Sequence, residues 1–223
     1  MRLVALVPMR HTSERVPGKN YREMAGKPLY TYILETLLDC DAIESVVVDT
    51  DSPVILQGLH EGYPQVRTLE RPEQLCDGDI PMNDIIKHDL EQINAEFYLQ
   101  THSTNPLLSP TTIQRAIDAF FDAYPSKDSL FSVTRIKTRL WSGDDQPLNH
   151  DPAELIRTQD LPPIFEENSC VYIFSHEVFL ERNHRLGHKP LMFEIDRQEA
   201  LDIDEELDFL IAEDLIRRRQ LLD

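Results

Sequence analysis

Short apolar runs alternate with segments of helical apolar periodicity along the first 134 residues of this chain of 223 residues. Apolar and β-branched runs predict strands at residues 3–7, 46–48, 66–69, 97–100 and 130–133. Apolar residues recur at helical spacing over 85–93 and again over 113–121, just after Ser109-Pro110. Strands that alternate with helices of this length form βαβ units. The sequence therefore predicts an α/β fold with a mostly parallel, Rossmann-like sheet flanked by helices.

A polar stretch interrupts the alternation after residue 135. Residues 135–165 contain four prolines and no clear helical period. We interpret residues 135–190 as an inserted subdomain that leaves the main sheet and returns to it. Two sections of the chain then share one α/β domain, residues 1–134 and 191–223.

Regular periods resume in the C-terminal part of the chain. Apolar runs predict strands at 170–174 and 190–195. A last helix is predicted over 205–221, and its buried face is expected to consist of Leu207, Leu210, Ile211 and Leu215.

Charge is distributed unevenly along the chain. The whole chain has a net charge of −18, whereas residues 1–27 contain six Lys or Arg and two Asp or Glu. An acidic chain is a poor binder of nucleic acid, and no apolar run approaches the roughly 18 residues of a membrane span. The three cysteines are odd in number and lack metal-ligand spacing, which predicts a reduced, cytoplasmic protein.

The local positive charge lies in a long polar loop, residues 8–27, that follows the first predicted strand. Such long loops are usually functional, and ligands of open α/β sheets bind where the strands end. We expect Arg10, Arg15 and Lys19 to surround a polyphosphate, with Ser13 and backbone N–H groups beside them. The loop matches neither the Walker A pattern nor the Gly-x-Gly dinucleotide fingerprint. A solvated basic loop without a ligand is the alternative.

Two aspartates flank one apolar residue in Asp202-Ile203-Asp204, just before the last predicted helix. In an extended segment, side chains two residues apart point to the same face, with Cα atoms about 7 Å apart. Mg²⁺ is commonly held by one or two carboxylates together with substrate phosphates. The pair therefore predicts a Mg²⁺ site. The alternative is an acidic helix N-terminus, which the helix dipole favours.

A polar cluster, residues 100–106, follows the predicted strand at 97–100 and begins with Gln100. Substrate contacts commonly lie at this point of an α/β sheet, although ordinary turn chemistry is the alternative. His11 and His102 have no partners at zinc-site spacing, so we do not interpret them as metal ligands.

Several motifs occur in a characteristic order. They are Arg10 and Ser13 with Pro17-Gly18-Lys19-Asn20, then Gly26-Lys27-Pro28-Leu29, Thr50-Asp51, Arg71-Pro72-Glu73-Gln74-Leu75, Leu99-Gln100 and finally Asp202-Ile203-Asp204-Glu205-Glu206-Leu207-Asp208. In these motifs and their order the chain resembles the acylneuraminate cytidylyltransferases, a family of CMP-sugar-acid synthetases. The first loop is also similar to that of CMP-Kdo synthetases.

The resemblance implies a reaction, a metal and an assembly. CMP would pass from CTP to the hydroxyl of a sugar acid, sialic-acid-like or another ulosonic acid, with release of pyrophosphate and with Mg²⁺ as cofactor. It also implies a nucleotidyltransferase fold and a homodimer, with residues 135–190 as the dimerisation and acceptor-contact subdomain.

The resemblance also implies roles for individual residues. Arg10 and Lys19 would neutralise the triphosphate, assisted by Ser13 and Arg15. Asn20 and Arg71 would hold the cytidine, and Asp202 and Asp204 would hold Mg²⁺. The acceptor sugar would contact Gln100, Arg157 and Asn168.

Two departures from the family pattern concern charge. Glu14 follows the loop serine where sialic-acid enzymes carry Lys, and Glu166 stands where they carry an acceptor-side Arg. An acidic residue there would repel a sugar carboxylate, which favours an acceptor other than sialic acid itself. The alternatives are a nucleotidyltransferase of the same fold with another NTP or a non-ulosonate acceptor, and a non-catalytic nucleotide-sugar-binding protein.

Overall fold

The polypeptide winds into a seven-stranded sheet, and the computed structural model describes residues 2–221. In chain order the strands are β1 (Leu3–Met9), β2 (Glu23–Met24), β3 (Lys27–Pro28), β4 (Ser45–Thr50), β5 (Arg67–Glu70), β6 (Phe97–Gln100), β7 (Ser129–Ile136), β8 (Ile164–Ser175) and β9 (Pro190–Glu194). The β2 and β3 strands form a separate hairpin, and the others have the order β5-β4-β1-β6-β8-β7-β9. Only β8 runs antiparallel to its neighbours, β6 and β7, so the prediction of a mostly parallel α/β sheet is confirmed.

Six α-helices lie between or after these strands in the described residues. They are α1 (Leu29–Leu38), α2 (Pro53–Gly62), α3 (Met82–Gln92), α4 (Pro110–Ala123), α5 (His176–Arg182) and α6 (Glu206–Gln220). Ser52 and Ser109 cap α2 and α4, because each hydroxyl accepts a backbone N–H of the first turn and a proline follows. Within residues 2–221, none of these helices is long and apolar enough to cross a membrane.

The core lies on both faces of the sheet. All seven residues of β1 are buried, as expected for a strand covered on both sides. Leu3, Ala5 and Val7 pack with α1 and α4, whereas Val4 and Leu6 pack with α3 and α5. A third, smaller cluster joins the loop after β1 to α6, and its members include Val16, Met24, Leu107, Ile203 and Phe209.

The sequence-based choice of the buried face of α6 was wrong. Phe209, 1 % exposed, is buried together with Ala212 and Ile216, whereas Leu207 is 65 % exposed. Leu210 and Ile211 are also exposed, and Leu215 packs only at the edge of the cluster. The helix has apolar residues on two faces, and the long-range contact of Phe209 with the loop cluster decides which face is buried.

Strand β8 lies within the range that was interpreted as an insertion, residues 135–190. It pairs with both β6 and β7 inside the main sheet, because its C-terminal half, from Cys170 to Ser175, is buried. Residues 137–163, between β7 and β8, lie outside the sheet, and one bridge joins Trp141 to Pro147 there. The division into two domains and a role of residues 135–190 in dimerisation stay predictions.

Candidate active site

Two adjoining cavities open where the central strands end. The first cavity has a volume of about 410 Å³ and is lined by the loop after β1, by residues 77–80 and by residues 102–104. The second cavity, about 440 Å³, is lined by residues 166–169 of β8 and by residues 200–202. Asp204 borders both cavities. This carboxylate therefore stands where two ligands, one in each cavity, would meet.

Most of the predicted site residues line one of these cavities. The first contains Arg10, Ser13, Arg15, Lys19, Asn20, Arg71 and Asp204, and the second contains Asn168, Asp202 and Asp204. Gln100 and Arg157 line neither cavity.

Asn20 fixes the shape of the cationic loop. Its side-chain amide donates to the carbonyl of Arg10 at 2.7 Å, and its oxygen accepts the hydroxyl of Ser103 at 2.8 Å. Gly18 precedes it with a φ of 66°, and a Cβ there would lie 2.9 Å from the ring of Tyr21. This turn brings Lys19 to the cavity and ties the loop to the end of β6.

The basic side chains of the loop face the acidic segment 202–204. Arg15 Nη2 lies 2.6 Å from Asp204 Oδ1, and the Lys19 ammonium donates to the carbonyl of Ile203. Burial lowers the pKa of Lys19, and the charges of Asp202 and Asp204 oppose that shift. Basic loop and acidic pair are thus joined in one charged cluster.

The aspartate pair lies ahead of α6, and its carboxylates take no part in the N-terminal capping box of that helix. Glu205 and Asp208 form the capping box of that helix, so they satisfy the helix end without the pair. Ile203 is fully buried, and its N–H donates to the carbonyl of Thr104 at 3.0 Å. The alternative of a purely capping role therefore does not explain Asp202 and Asp204.

Asp202 has the environment of a cation ligand. Its Oδ1 is buried without a hydrogen-bond partner among the described residues. Burial, together with the charge of Asp204, raises the pKa of this carboxyl. A divalent cation would supply the missing partner and offset both effects, so the donor set fits a hard cation such as Mg²⁺.

Arg71 lies in the wall of the first cavity and is almost fully buried. Its Nε donates to the carboxylate of Asp49, and its Nη2 lies 3.4 Å from the carbonyl of the same residue. Within the described residues its Nη1 has no partner. One nitrogen of this fixed guanidinium is therefore buried with its hydrogen-bonding capacity unused.

Gln100 is buried behind the cavity and contacts it only indirectly. Its oxygen accepts from Arg185 at 2.5 Å, and its amide donates to the carbonyl of Thr101 at 3.0 Å. The same amide lies 3.1 Å from Nε2 of His102, which does line the first cavity. Burial, with smaller contributions from Arg185 and Lys19, lowers the pKa of His102 to about 3, so the ring is neutral. Gln100 lines neither cavity, and its predicted sugar contact stays a prediction.

A wide bulge in β8 carries Asn168 to the second cavity. Phe131 pairs with Tyr172 and Val133 with Glu167, so Ser132 faces four residues of β8. The Ser132 hydroxyl donates to Asn168 Oδ1 at 2.5 Å and accepts the N–H of Val171 at 2.8 Å. The bulge thereby places residues 168 and 169 on the cavity wall.

Arg157, the predicted sugar contact, does not line the second cavity, so its role stays a prediction. Arg157 is exposed, pairs with Asp160 at 2.6 Å and lies in the segment outside the sheet. Arg197 instead lines the second cavity, together with Glu166 and Glu167. Sequence reasoning missed Arg197, and the one signal was its position shortly before Asp202 on the same connection.

Fold and site together define a nucleotide-binding α/β protein of the nucleotidyltransferase type. The cationic loop follows the first strand, and Asp204 borders both the cavity that this loop lines and a second one. The family model described as cytidylyltransferase matches residues 4–221. The chain belongs to the cytidylyltransferase family.

Two relatives with curated names are a CMP-sugar-acid synthase and an N-acylneuraminate cytidylyltransferase. The CMP-N,N'-diacetyllegionaminic acid synthase of Legionella pneumophila is 27% identical over an alignment of 230 positions, which covers 99% of this chain and 98% of the relative. The N-acylneuraminate cytidylyltransferase of Escherichia coli is 25% identical over 95% of this chain and 51% of the relative. This chain therefore spans nearly the whole of the first relative and about half of the second.

Solved structures share the fold. A CMP:2-keto-3-deoxy-manno-octonic acid synthetase complexed with CTP superimposes with a TM-score of 0.74 at 15% identity, covering 98% of this chain and 100% of that one. The 4-diphosphocytidyl-2C-methyl-D-erythritol synthase of Anaerococcus prevotii has a TM-score of 0.67 at 12% identity, covering 97% and 96% of the two chains.

Proposed function

We propose that this protein transfers CMP from CTP to a hydroxyl of a sugar acid, sialic-acid-like or another ulosonic acid, and releases pyrophosphate. The observation that carries the proposal is the position of Asp204 between a cavity lined by three basic loop residues and a second cavity that contains Arg197. The names of the relatives, which are CMP-legionaminic acid synthase and N-acylneuraminate cytidylyltransferase, support the same reaction class.

The proposed transfer of CMP depends mainly on the positioning of the reactants and on charge neutralisation. The acceptor oxygen attacks the α-phosphorus of CTP, and the bond to pyrophosphate breaks. Arg10, Arg15 and Lys19 line the cavity that would hold the triphosphate, where they neutralise its charge and that of the leaving group. The free Nη1 of Arg71 would donate to the nucleotide.

Asp202 and Asp204 are the proposed ligands of Mg²⁺. The partnerless Oδ1 of Asp202 and the position of Asp204 at both cavities support this assignment. When bound, Mg²⁺ acts as a Lewis acid toward phosphoryl oxygens. The segment that carries both residues is held in place by this chain's own contacts from Ile203 to Thr104 and to Lys19.

The second cavity is the proposed acceptor site. Arg197 would pair with the sugar carboxylate, because a guanidinium binds a carboxylate through two parallel hydrogen bonds. Glu166 and Glu167 add negative charge to the same wall. They would accept hydrogen bonds from hydroxyl, amide or amine substituents of the sugar.

A homodimer and a cytoplasmic location complete the proposal. Residues 137–163 expose Trp141, Leu148 and Leu155, apolar side chains that a partner subunit would cover. Cys40, Cys76 and Cys170 are free thiols, as in proteins of reducing compartments.

Nucleotide selectivity is the first test. Thermal stability is measured with CTP, UTP, GTP and ATP, each with and without Mg²⁺, because a ligand that binds the native state raises its stability. Stabilisation by CTP alone, followed by pyrophosphate release with ulosonic acids, is the expected result. Preference for another nucleotide would change the product class. Stabilisation by CTP without any turnover would favour a non-catalytic nucleotide-sugar-binding protein.

A further inference from the structure

Two buried carboxyl groups meet behind the wall of the first cavity. Asp49 on β4 and Asp89 on α3 are each 1 % exposed. One carboxylate oxygen from each, together with a ring nitrogen of His88, lies within 4.8 Å of the others. Arg71 donates to Asp49 from the same cluster. A single guanidinium can balance only one of two buried negative charges.

The hydrogen bonds of this cluster are incomplete unless one carboxyl carries a proton. Asp49 uses one oxygen for Arg71, while its Oδ2 and the Oδ1 of Asp89 have no donor among the described residues. Two adjacent buried acceptors without a donor are costly. One proton between the two carboxyls supplies the missing donor and removes the second negative charge.

Asp89 is the carboxyl to which we assign the proton, because the guanidinium of Arg71 contacts Asp49 and leaves Asp89 without a cation. Burial, followed by the charge of Asp49 and the hydrogen bond to it, raises the pKa of Asp89 to about 9, and Arg71 opposes the shift. His88 lies beside Asp89 on the same helix. The charges of Asp49 and Arg71 also act on the thiol of Cys76, which follows Arg71 in the chain. A divalent cation in this place would have to share Asp49 with the guanidinium, so the proton fits the cluster better.

We propose that Asp89 donates a hydrogen bond to Asp49 and thereby holds Arg71 in the wall of the nucleotide cavity. Asp89 is then a positioning residue for nucleotide binding, which rests on the proposed function. The Nη1 of Arg71, buried without a partner among the described residues, would donate to the nucleotide as long as Asp89 is protonated. Ionised Asp89 attracts that nitrogen and removes it from the nucleotide.

Two variants separate the hydrogen bond from the side chain. Asp89→Asn keeps an N–H donor and cannot ionise, whereas Asp89→Ala has no donor. Asp84→Asn, at an exposed position of the same helix, is the matched control. Kd and KM for CTP are measured from about pH 7.5 to about pH 10, across the raised pKa of Asp89.

We expect a definite pattern of CTP affinities among wild type and the three variants. At the lower pH, Asp89→Ala binds CTP about tenfold more weakly, as expected for the loss of one hydrogen bond of a charged group, while Asp89→Asn and Asp84→Asn bind like wild type. Toward the higher pH, wild type weakens relative to Asp89→Asn, and the change is in KM rather than kcat. An equal pH dependence in wild type and Asp89→Asn overturns the proposal, as does full affinity of Asp89→Ala.

Thermal unfolding without nucleotide tests the proton independently. The folded pKa of Asp89 lies above its unfolded value, so its protonation stabilises the fold most at low pH and this contribution is lost as pH rises to about 9. The melting temperature of wild type relative to Asp89→Asn therefore falls from about pH 4 to about pH 9. A difference in melting temperature that stays constant with pH would show that the two carboxyls do not share a proton. A falling difference without CTP binding leaves the pair intact and refutes the proposed function and the positioning role.

Discussion

Lys19 and Arg15 reach the same three-residue segment from a distant part of the chain. They are 184 and 189 residues from their partners Ile203 and Asp204. Each contact is a charged group meeting an acceptor at the edge of a cavity. At the scale of single residues, the site therefore depends on long-range pairs, and no single motif contains both members of a pair.

Replacement of Asp204 tests the proposed metal ligand. We expect Asp204→Asn to lower kcat by about 100-fold or more, because charge stabilisation at a reacting phosphoryl group is worth this much, while CTP still binds. Turnover is measured by pyrophosphate release, and CTP binding by calorimetry. Asp214→Asn, at an exposed position of α6, should behave like wild type. Normal turnover of Asp204→Asn would show that the metal assignment is wrong.

Arg197 and Arg157 offer two explanations for acceptor binding. Arg197 lines the second cavity, whereas Arg157 pairs with Asp160 outside it. We expect Arg197→Ala to raise the acceptor KM by about 10- to 100-fold, the loss of a charge-assisted hydrogen bond, with the KM for CTP unchanged. Arg157→Ala is the comparison and should leave both constants unchanged. The opposite pattern in steady-state kinetics would restore the sequence-based choice of Arg157.

Several residues of the cavity wall could be predicted because they lie in motifs. The basic loop residues and Asp204 were named from sequence, and they line one cavity. Gln100 and Arg71 were named too, but their partners Arg185 and Asp49 decide what their side chains can reach. Such partners come from other strands and loops, so a motif does not reveal them.

At the scale of elements, α6 shows how packing selects between two apolar faces. Phe209 enters the cluster formed by Val16, Met24 and Leu107, and Arg22 stacks on its outer side with Cζ 4.1 Å from the ring centroid. Leu207, Leu210 and Ile211 point to solvent. Helical period alone cannot distinguish these faces, because both recur at a spacing of about 3.6 residues.

The two faces of α6 predict different costs of truncation. Phe209→Ala should lower the free energy of unfolding by about 3–5 kcal/mol, since it opens a cavity in a packed cluster. Leu207→Ala, two residues away and exposed, should change it by less than about 0.5 kcal/mol. Urea denaturation measures both values. Equal losses of unfolding free energy in the two variants would contradict the burial of the α6 face that carries Phe209.

The bulge in β8 is an element that the sequence did not predict. The apolar run at 170–174 was recognised, but the six residues before it, from Ile164, also belong to the strand. Polar and apolar residues alternate less clearly in these six residues, because the four residues opposite Ser132 interrupt the pairing. Register between β7 and β8 is a property of two distant segments, so it becomes visible only in the sheet.

At the scale of the whole molecule, the exposed apolar side chains of residues 137–163 bear on assembly. Leu155 is 89 % exposed. We expect the protein to sediment as a dimer and Leu155→Asp to shift it toward monomers, because a buried unpaired charge opposes association. Leu180→Asp, on an exposed apolar position of α5, is the control and should remain dimeric. A monomeric wild type would refute the dimer, and dissociation by the control alone would place the interface elsewhere.

The sequence by itself determined the alternation of strands and helices, the cationic loop and the order of the motifs. These features are local, because apolar period and turn chemistry act within a few residues. Tertiary structure alone decided the antiparallel place of β8, the buried face of α6, and the meeting of Asp49, Arg71 and Asp89 behind the cavity. Burial and pairing of charged groups depend on neighbours from distant parts of the chain, and only the folded sheet brings these together.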